Sequence, residues 1–339
     1  MFRRWQFWLG LLVSAAFLWV ALRGLKIEEV FGILRAADYA WLIPGAAIYF
    51  VAVAARTWRW QALLKPLKAV SIRRLFPVVA IGYMGNNVYP ARIGELLRAY
   101  VLKRGEHISI SSALATVVVE RIFDGLVVLL FVFVVLPSAQ AQWDLPDSMR
   151  ALIAVGSLLF FTALVVFLAL AARPDAASRV YGFLLGRLLP PRLRTPVAGL
   201  LDRFMTGLSA LRDLRQVLII FLITLVVWLV ETTTYWLVMH AFPFEVPFTT
   251  LMLMNGVANL VTTIPAAPGY VGTFDLPGIA VLVAFGVDAE IATSYTLVLH
   301  AVLWLPVTVL GLFYMVRQSL RWSDFAEAAD LQDARAAAP

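Results

Sequence analysis

The stretch Gly82-Tyr83-Met84-Gly85-Asn86-Asn87-Val88-Tyr89-Pro90-Ala91-Arg92-Ile93-Gly94-Glu95-Leu96-Leu97-Arg98 decides how this chain is read. It follows apolar residues from Leu75 and runs on to Arg104, with Gly, Asn and Pro interrupting it midway. Each apolar piece is too short to cross a bilayer, whose hydrocarbon core takes roughly 20 apolar residues in a helix. Backbone that breaks at membrane depth needs protein or a wet cavity to satisfy its N–H and C=O groups. The segment therefore reads as a re-entrant hairpin or a broken helix. A second stretch, Phe248 to Ala284, repeats the pattern. It holds Asn255, Gly256 and Asn259, then Pro265-Ala266-Ala267-Pro268-Gly269-Tyr270-Val271-Gly272-Thr273-Phe274-Asp275.

Around these breaks the chain is strongly apolar. Of 339 residues, 62% are hydrophobic and only 14% charged, with mean hydropathy +0.85. Soluble domains are about 45–50% apolar and about 25% charged, so a soluble enzyme or nucleic-acid module is excluded. Apolar runs at 5–22, 39–64, 112–136, 152–171, 216–240 and 291–316 have spanning length. The expected fold is an all-α polytopic membrane protein, with six spanning helices and two broken or re-entrant hairpins. Residues 1–317 form one transmembrane domain. Its halves, about 39–136 and 216–316, are joined by a span and a cytoplasmic segment at 173–215 that carries eight arginines. Within that segment, 197–211 reads as an amphipathic helix, lying at the interface or packed on the bundle. Residues 318–339 are Ala-rich and acidic and read as a disordered tail.

The net charge is +7. Lys and Arg concentrate in cytoplasmic loops. With the N-terminus inside and both broken segments returning to their own side, 23 of the 28 basic residues fall inside; Arg23, Lys26, Arg35 and Arg150 fall outside, and Arg121 within a span. Letting both broken segments cross twice leaves the same parity, so eight to ten apolar elements fit the sequence. The basic balance is thus read as topology and attraction to anionic lipid, not to nucleic acid. In this threading the first broken segment enters from the cytoplasm and the second from outside. Broken segments at matching places in opposed halves point to an inverted-repeat transporter.

Charges inside a bilayer cost at least a few kcal/mol on insertion scales, so Glu95, Glu120, Arg121, Asp124, Glu231 and Asp275 are informative. Glu120 and Asp124 share a helix face. Two carboxylates there need a cation nearby or a proton. Arg121 points some 100° away and pairs elsewhere. Arg92 stands three before Glu95, a spacing that allows pairing on a short helix, and Arg98 three after, where it extends the stripe. Arg92, Arg98 and Arg121 would attract a phosphate, and helix N-termini after Pro90 and Pro268 would add positive dipole ends. The same charges also fit internal salt bridges. Glu231 is alone in its span beside Thr232, Thr233 and Thr234; His300 fits a packing role; Asn86, Asn87, Asn255 and Asn259 fit helix caps. Cysteine is absent, and His107, His240 and His300 make no metal spacing. The sequence has no P-loop, no Gly-x-Ser-x-Gly and no Asp-x-Asp loop, so neither an enzyme nor a cofactor is expected.

The run from Gly85 to Tyr100 resembles the signature of the lysylphosphatidylglycerol synthetase transmembrane-region family. Thr116-Val117-Val118-Val119-Glu120-Arg121-Ile122-Phe123-Asp124-Gly125 is similar to its second motif, and Pro265 to Asp275 to its third, where the last acid is often Glu. The resemblance covers about residues 5–317. It implies a polytopic bacterial inner-membrane protein, multi-pass, with both termini cytoplasmic. In two-part members this region is the flippase for aminoacylated phosphatidylglycerol, followed by a soluble transferase that this sequence lacks, so aminoacyl-lipid synthesis is not expected. What carries over is lipid translocation. The substrate would be a membrane lipid with an anionic or polyprenyl-linked headgroup, handled by a groove of Asn86, Asn87, Arg92, Glu95, Arg98, Glu120, Arg121, Asp124, Pro268, Gly269 and Asp275, with Glu231, Asn259, Tyr270 and His300 as secondary candidates. The alternatives are a membrane-embedded lipid-phosphate transferase or hydrolase, and a non-catalytic partner of a lipid or envelope synthesis enzyme. A homo-oligomer and a lipid-synthesis partner both fit the sequence.

Overall fold

A computed structural model describes residues 5–89, 93–140, 213–263 and 267–318, with scattered positions between 158 and 205. Pro90 to Arg92, Ile264 to Ala266, the run at 152–171, nearly all of 173–212 and the tail beyond 318 lie outside the described residues, so the readings made of them are not addressed. Every described element is helical. They are α1 (Trp5–Leu22), α2 (Ile27–Ala36), α3 (Leu42–Leu64), α4 (Ile72–Val88), α5 (Ile93–Glu106), α6 (Ile110–Gln140), α7 (Leu214–Met239), α8 (Phe248–Val261), α9 (Asp275–Ala284) and α10 (Ala289–Arg317), with 3-10 turns at Tyr39–Trp41 and Pro268–Tyr270. Among the described residues three stretches are long and apolar enough to cross a membrane: Tyr39–Leu64, Arg215–Met239 and Ala289–Arg317. They carry exposed apolar side chains on their outer faces, such as Ile43, Leu222 and Val309. Such surface is stable only against lipid or protein.

Both anticipated breaks are present, and the sequence explains each. α4 stops at Val88 and Tyr89 turns to extended backbone (φ −113°, ψ 145°), because the ring of a following proline disfavours the helical region for the residue before it. In the second break Pro268 opens a 3-10 turn in which Gly269 and Tyr270 take positive φ, 73° and 61°. Tyr270 is a rare residue type for that region. The short helix α2 was not anticipated. It packs on α10, where the Ser294 hydroxyl lies 3.4 Å from the Val30 carbonyl.

Packing partners mirror each other across the chain. α3 lies along α7. α4 packs on α5, on α10 and on α3; in the same way α8 packs on α9, on α6 and on α7. α5 meets α6 as α9 meets α10. Two buried apolar clusters follow suit: Trp60, Leu75 and Leu97 belong to one, Tyr235, Leu251 and Tyr295 to the other. Glycines allow the closest approaches. A methyl group at Gly94 would sit 1.9 Å from the Gly82 carbonyl oxygen, and one at Gly311 2.5 Å from that of Ala80. On the aqueous side, Lys68 and Arg74 close onto Glu106 at 2.7 and 3.2 Å. Chiefly through the Lys68 hydrogen bond, they hold its carboxyl below the usual carboxylate range.

The seam between α3 and α7 contains an ion pair, Arg56 with Glu231, both buried. The Arg56 guanidinium also lies 5.9 Å from the Tyr83 ring centre and 5.7 Å from that of Trp228.

Gly94→Ala is expected to lower thermal stability in detergent by ~1–3 kcal/mol, the usual cost of overpacking. Gly105→Ala, which meets only open space, should not lower it. Arg56→Met should cost ~3–5 kcal/mol because it strands a buried carboxylate, and Arg56→Met/Glu231→Met should recover most of the loss. A double variant no more stable than the single would show that packing of the guanidinium, and not charge pairing, is what matters there.

Candidate functional site

A cavity of about 330 Å³ lies between the two broken segments. The first contributes Asn86, Glu95 and Arg98, the second Asn259 and Gly269. Arg121 of α6 and His300 of α10 complete the polar wall. The mirrored packing brings this about: each break is stacked against the long helix of the opposite half.

Behind one wall the charges interlock. Arg59, on α3, has a side chain only 1% exposed. Its Nη1 donates to Asp124 Oδ1 at 2.6 Å and to Thr224 Oγ1 at 3.2 Å, and its Nη2 donates to Asp124 Oδ2 at 3.3 Å. The same nitrogen stands 3.6 Å from Glu120 Oε1. Arg98, on α5, donates to Glu120 Oε2 at 3.0 Å and stacks 4.0 Å from the Trp60 ring centre. Trp228 Nε1 donates to Asp124 Oδ1 at 3.0 Å. Arg59 is thus held by two carboxylates that would otherwise repel, and the fork geometry of guanidinium suits the bidentate contact.

Nearer the cavity the pairing loosens. Arg121, whose side chain is 40% exposed, lies 3.3 Å from Asp124 and 3.6 Å from Glu95. Buried Arg56 Nη1, Arg98 Nε and Asn86 Oδ1 have no hydrogen-bond partner among the described residues. These groups retain hydrogen-bonding capacity beside the cavity.

A second cluster sits at the other break. Asp275 opens α9 and accepts the Gly272 N–H at 2.8 Å. Its other oxygen is 2.8 Å from His300 Nδ1, while His300 Nε2 is 2.8 Å from the Gly269 carbonyl. Trp304 Nε1 donates to the Asn87 carbonyl at 3.4 Å, and the Asn87 amide donates to Thr308 Oγ1 at 2.8 Å. These contacts tie the end of α4 to the helix that carries His300.

The structure thus gathers Asn86, Asn87, Glu95, Arg98, Glu120, Arg121, Asp124, Gly269, Asp275, Asn259, Tyr270 and His300 in or directly behind one cavity, with Pro268 opening the turn beside it. Arg92 lies outside the described residues. Several pairings differ from expectation. Arg98, read only as extending the stripe, binds Glu120, because its place on α5 faces α6. Arg121 meets Glu95 but also Asp124 on its own helix. Glu231 is paired with Arg56 and not left to its threonines. Asn87 and Asn259 do not act as caps: Asn259 donates to the Asn255 carbonyl and side chain, at 2.9 and 2.8 Å. Sequence reasoning missed Arg56 and Arg59, which the charge count assigned to a cytoplasmic loop. The signal was available: the two stand three apart on one face of an apolar helix, nearly a turn or more before its end.

Known proteins are similar to this chain over most of its length. The lysylphosphatidylglycerol synthase TM region matches residues 7–311. A UPF0104 membrane protein of Methanothermobacter thermautotrophicus is 26% identical over 318 residues, covering 89% of this chain and 91% of that one. A UPF0104 membrane protein of Methanocaldococcus jannaschii is 21% identical, covering 90% and 93%. The glycosyltransferase AglD of Haloferax volcanii is 28% identical over 89% of this chain, which spans about half of that relative (52%). A match that runs through both breaks and the spanning helices between them leads to one assignment: this integral membrane chain belongs to the lysylphosphatidylglycerol synthase transmembrane-region family.

Proposed function

We propose that the protein translocates lipids across the cytoplasmic membrane, passing an anionic or zwitterionic headgroup through the cavity while the acyl chains stay in the bilayer. The observation that carries this reading is the cavity between the two breaks, walled by Arg121, Glu95 and Asn86 within an otherwise apolar helical bundle. The residues divide by role. Arg59, Glu120 and Asp124 are buried and paired, and with Arg98 on Glu120 they hold α3, α5 and α6 together. Arg121 and Glu95 are more exposed than these and line the cavity, so they meet the headgroup. The mirrored packing supports an inverted repeat, with α3 to α6 corresponding to α7 to α10. The excess of basic residues on one side supports cytoplasmic termini.

The test is headgroup exposure in reconstituted liposomes. Arg121→Gln and Arg92→Ala should slow translocation at least tenfold, measured on protein whose melting curve shows that it remains folded. Rates equal to wild type in both variants would sink the residue assignment.

The relative named as a glycosyltransferase favours a second reading, in which the membrane domain serves or performs a transfer to a lipid. Product formed from a lipid-phosphate donor by the purified protein, with no headgroup movement, would replace the first reading by this one.

A further inference from the structure

The two halves carry equivalent ion pairs of different chemistry. Arg121 and His300 each stand twelfth in their long helices, α6 and α10. Each reaches the acid at the start of the short helix after its own half's break: Glu95 in the first turn of α5, Asp275 at the first position of α9. One pair uses a cation that never titrates, the other an imidazole, whose ordinary pKa lies near neutrality. Every other buried acid at the cavity has an arginine within ion-pair distance, whereas the basic partner described for Asp275 is His300.

The geometry fixes a proton count. Both nitrogens of His300 face acceptors, the Asp275 carboxylate and the Gly269 carbonyl. A neutral imidazole has a single N–H. Satisfying both contacts takes one further proton, shared along the Nδ1–Oδ1 contact whichever atom carries it. When that proton leaves to water, one N–H remains for two acceptors, and either the carboxylate or the Gly269 carbonyl loses its donor. Gly269 lies in the left-handed turn at Pro268–Tyr270, which is otherwise tied to α1 through the Ala267 N–H on Ser14 Oγ at 2.9 Å.

Other titratable groups on the elements packed against α10 do not replace this link. Arg56 on α3 and Glu231 on α7 neutralise each other. Tyr49 on α3, Tyr83 on α4, Tyr235 on α7 and Tyr270 in the turn have no described hydrogen bond to His300 or Asp275. The charged residues of α2 meet α10 near Ser294, almost two helical turns away.

We propose that Asp275 and His300 form a proton-binding site whose occupancy sets the hold on the Pro268–Tyr270 turn, and that this site makes headgroup passage sensitive to protons. The second clause rests on the translocation reading; the first stands without it.

The experiment uses full-length protein, labelled with 15N-histidine, in lipid bilayers. The His300 ring signals are identified by their loss in His300→Gln. Expected are two protonated ring nitrogens at low pH and one at high pH, with the change falling between about pH 5 and 9. Hydrogen exchange at Gly269 to Gly272, corrected for its intrinsic pH dependence, should rise over the same interval in wild type. In His300→Arg it should stay flat, because the arginine copies the permanent pair of the other half. In liposomes the wild-type translocation rate should depend on pH across that interval, and the His300→Arg rate should not. An imidazole with the same proton count throughout overturns the site. A titrating His300 with flat exchange and flat translocation overturns its hold on the turn. A wild type that moves no lipid while His300 titrates and the turn loosens upholds the site and overturns the translocation reading.

Discussion

Arg59 is the constraint from which the rest of the structure follows. Its side chain is almost wholly buried, and taking a guanidinium out of water is affordable only with opposite charge and good hydrogen bonds around it. Glu120 and Asp124 supply both, one turn apart on α6. The cation between them offsets their mutual repulsion, with Arg98 on Glu120 and Arg121 on Asp124 adding to it. The triad therefore fixes the rotation of α6 about its axis and its height relative to α3. Arg98 binding the second oxygen of Glu120 sets α5 in turn. Placing α5 places the first break, since α5 begins where the break ends.

The breaks are affordable for a related reason. Interrupted helices leave backbone groups that lipid cannot satisfy. At the first break the Asn87 carbonyl accepts from Trp304, and its side chain donates to Thr308. At the second, the Gly269 carbonyl meets His300, the Gly272 N–H meets Asp275, and the Ala267 N–H meets Ser14. The first break is thus closed by a helix of the other half, and the second by its own half and by α1. Small residues make these contacts possible: Gly269 lies where a methyl group would come 2.6 Å from Trp304 Nε1. Side chains from distant parts of the chain do what solvent would do in a soluble loop.

Much of this was legible in the sequence, and the rest was hidden for definable reasons. Both breaks were readable because Pro and Gly act locally: Tyr89 leaves the helix because of the next residue, whatever surrounds it. Spanning helices were readable from length and apolarity alone. That Glu120, Arg121 and Asp124 matter followed from the cost of charge in a bilayer. Their partners did not follow, since pairing depends on which helices touch. Arg98 binds Glu120, 22 residues away, because the α5–α6 interface turns it that way. Arg56 and Arg59 were hidden by a different effect: next to Lys65 and Lys68 they looked like the start of a basic loop, and only the packing of α3 on α7 and α6 shows them inside the helix. His300, a lone histidine in an apolar run, gained meaning only when α10 brought it against Asp275.

Charge balance then limits what the cavity can admit. Among the described residues four arginines, Arg56, Arg59, Arg98 and Arg121, stand against four carboxylates, Glu95, Glu120, Asp124 and Glu231, while a fifth carboxylate, Asp275, is partnered by His300. A bare anion drawn to Arg121 would have to displace Glu95 or Asp124, leaving a carboxylate short of its partner in a low-dielectric wall, which is expensive. On the proposed reading a headgroup with both signs would avoid this, its phosphate meeting Arg121 and its cationic end Glu95, so that no charge is stranded. On the proposed reading such an exchange takes place at Glu95 and Arg121, 3.6 Å apart where they line the cavity. The buried pairs behind it, from Arg59 at 2.6 Å to Asp124 outward, stay closed and keep the wall in place while that one contact opens.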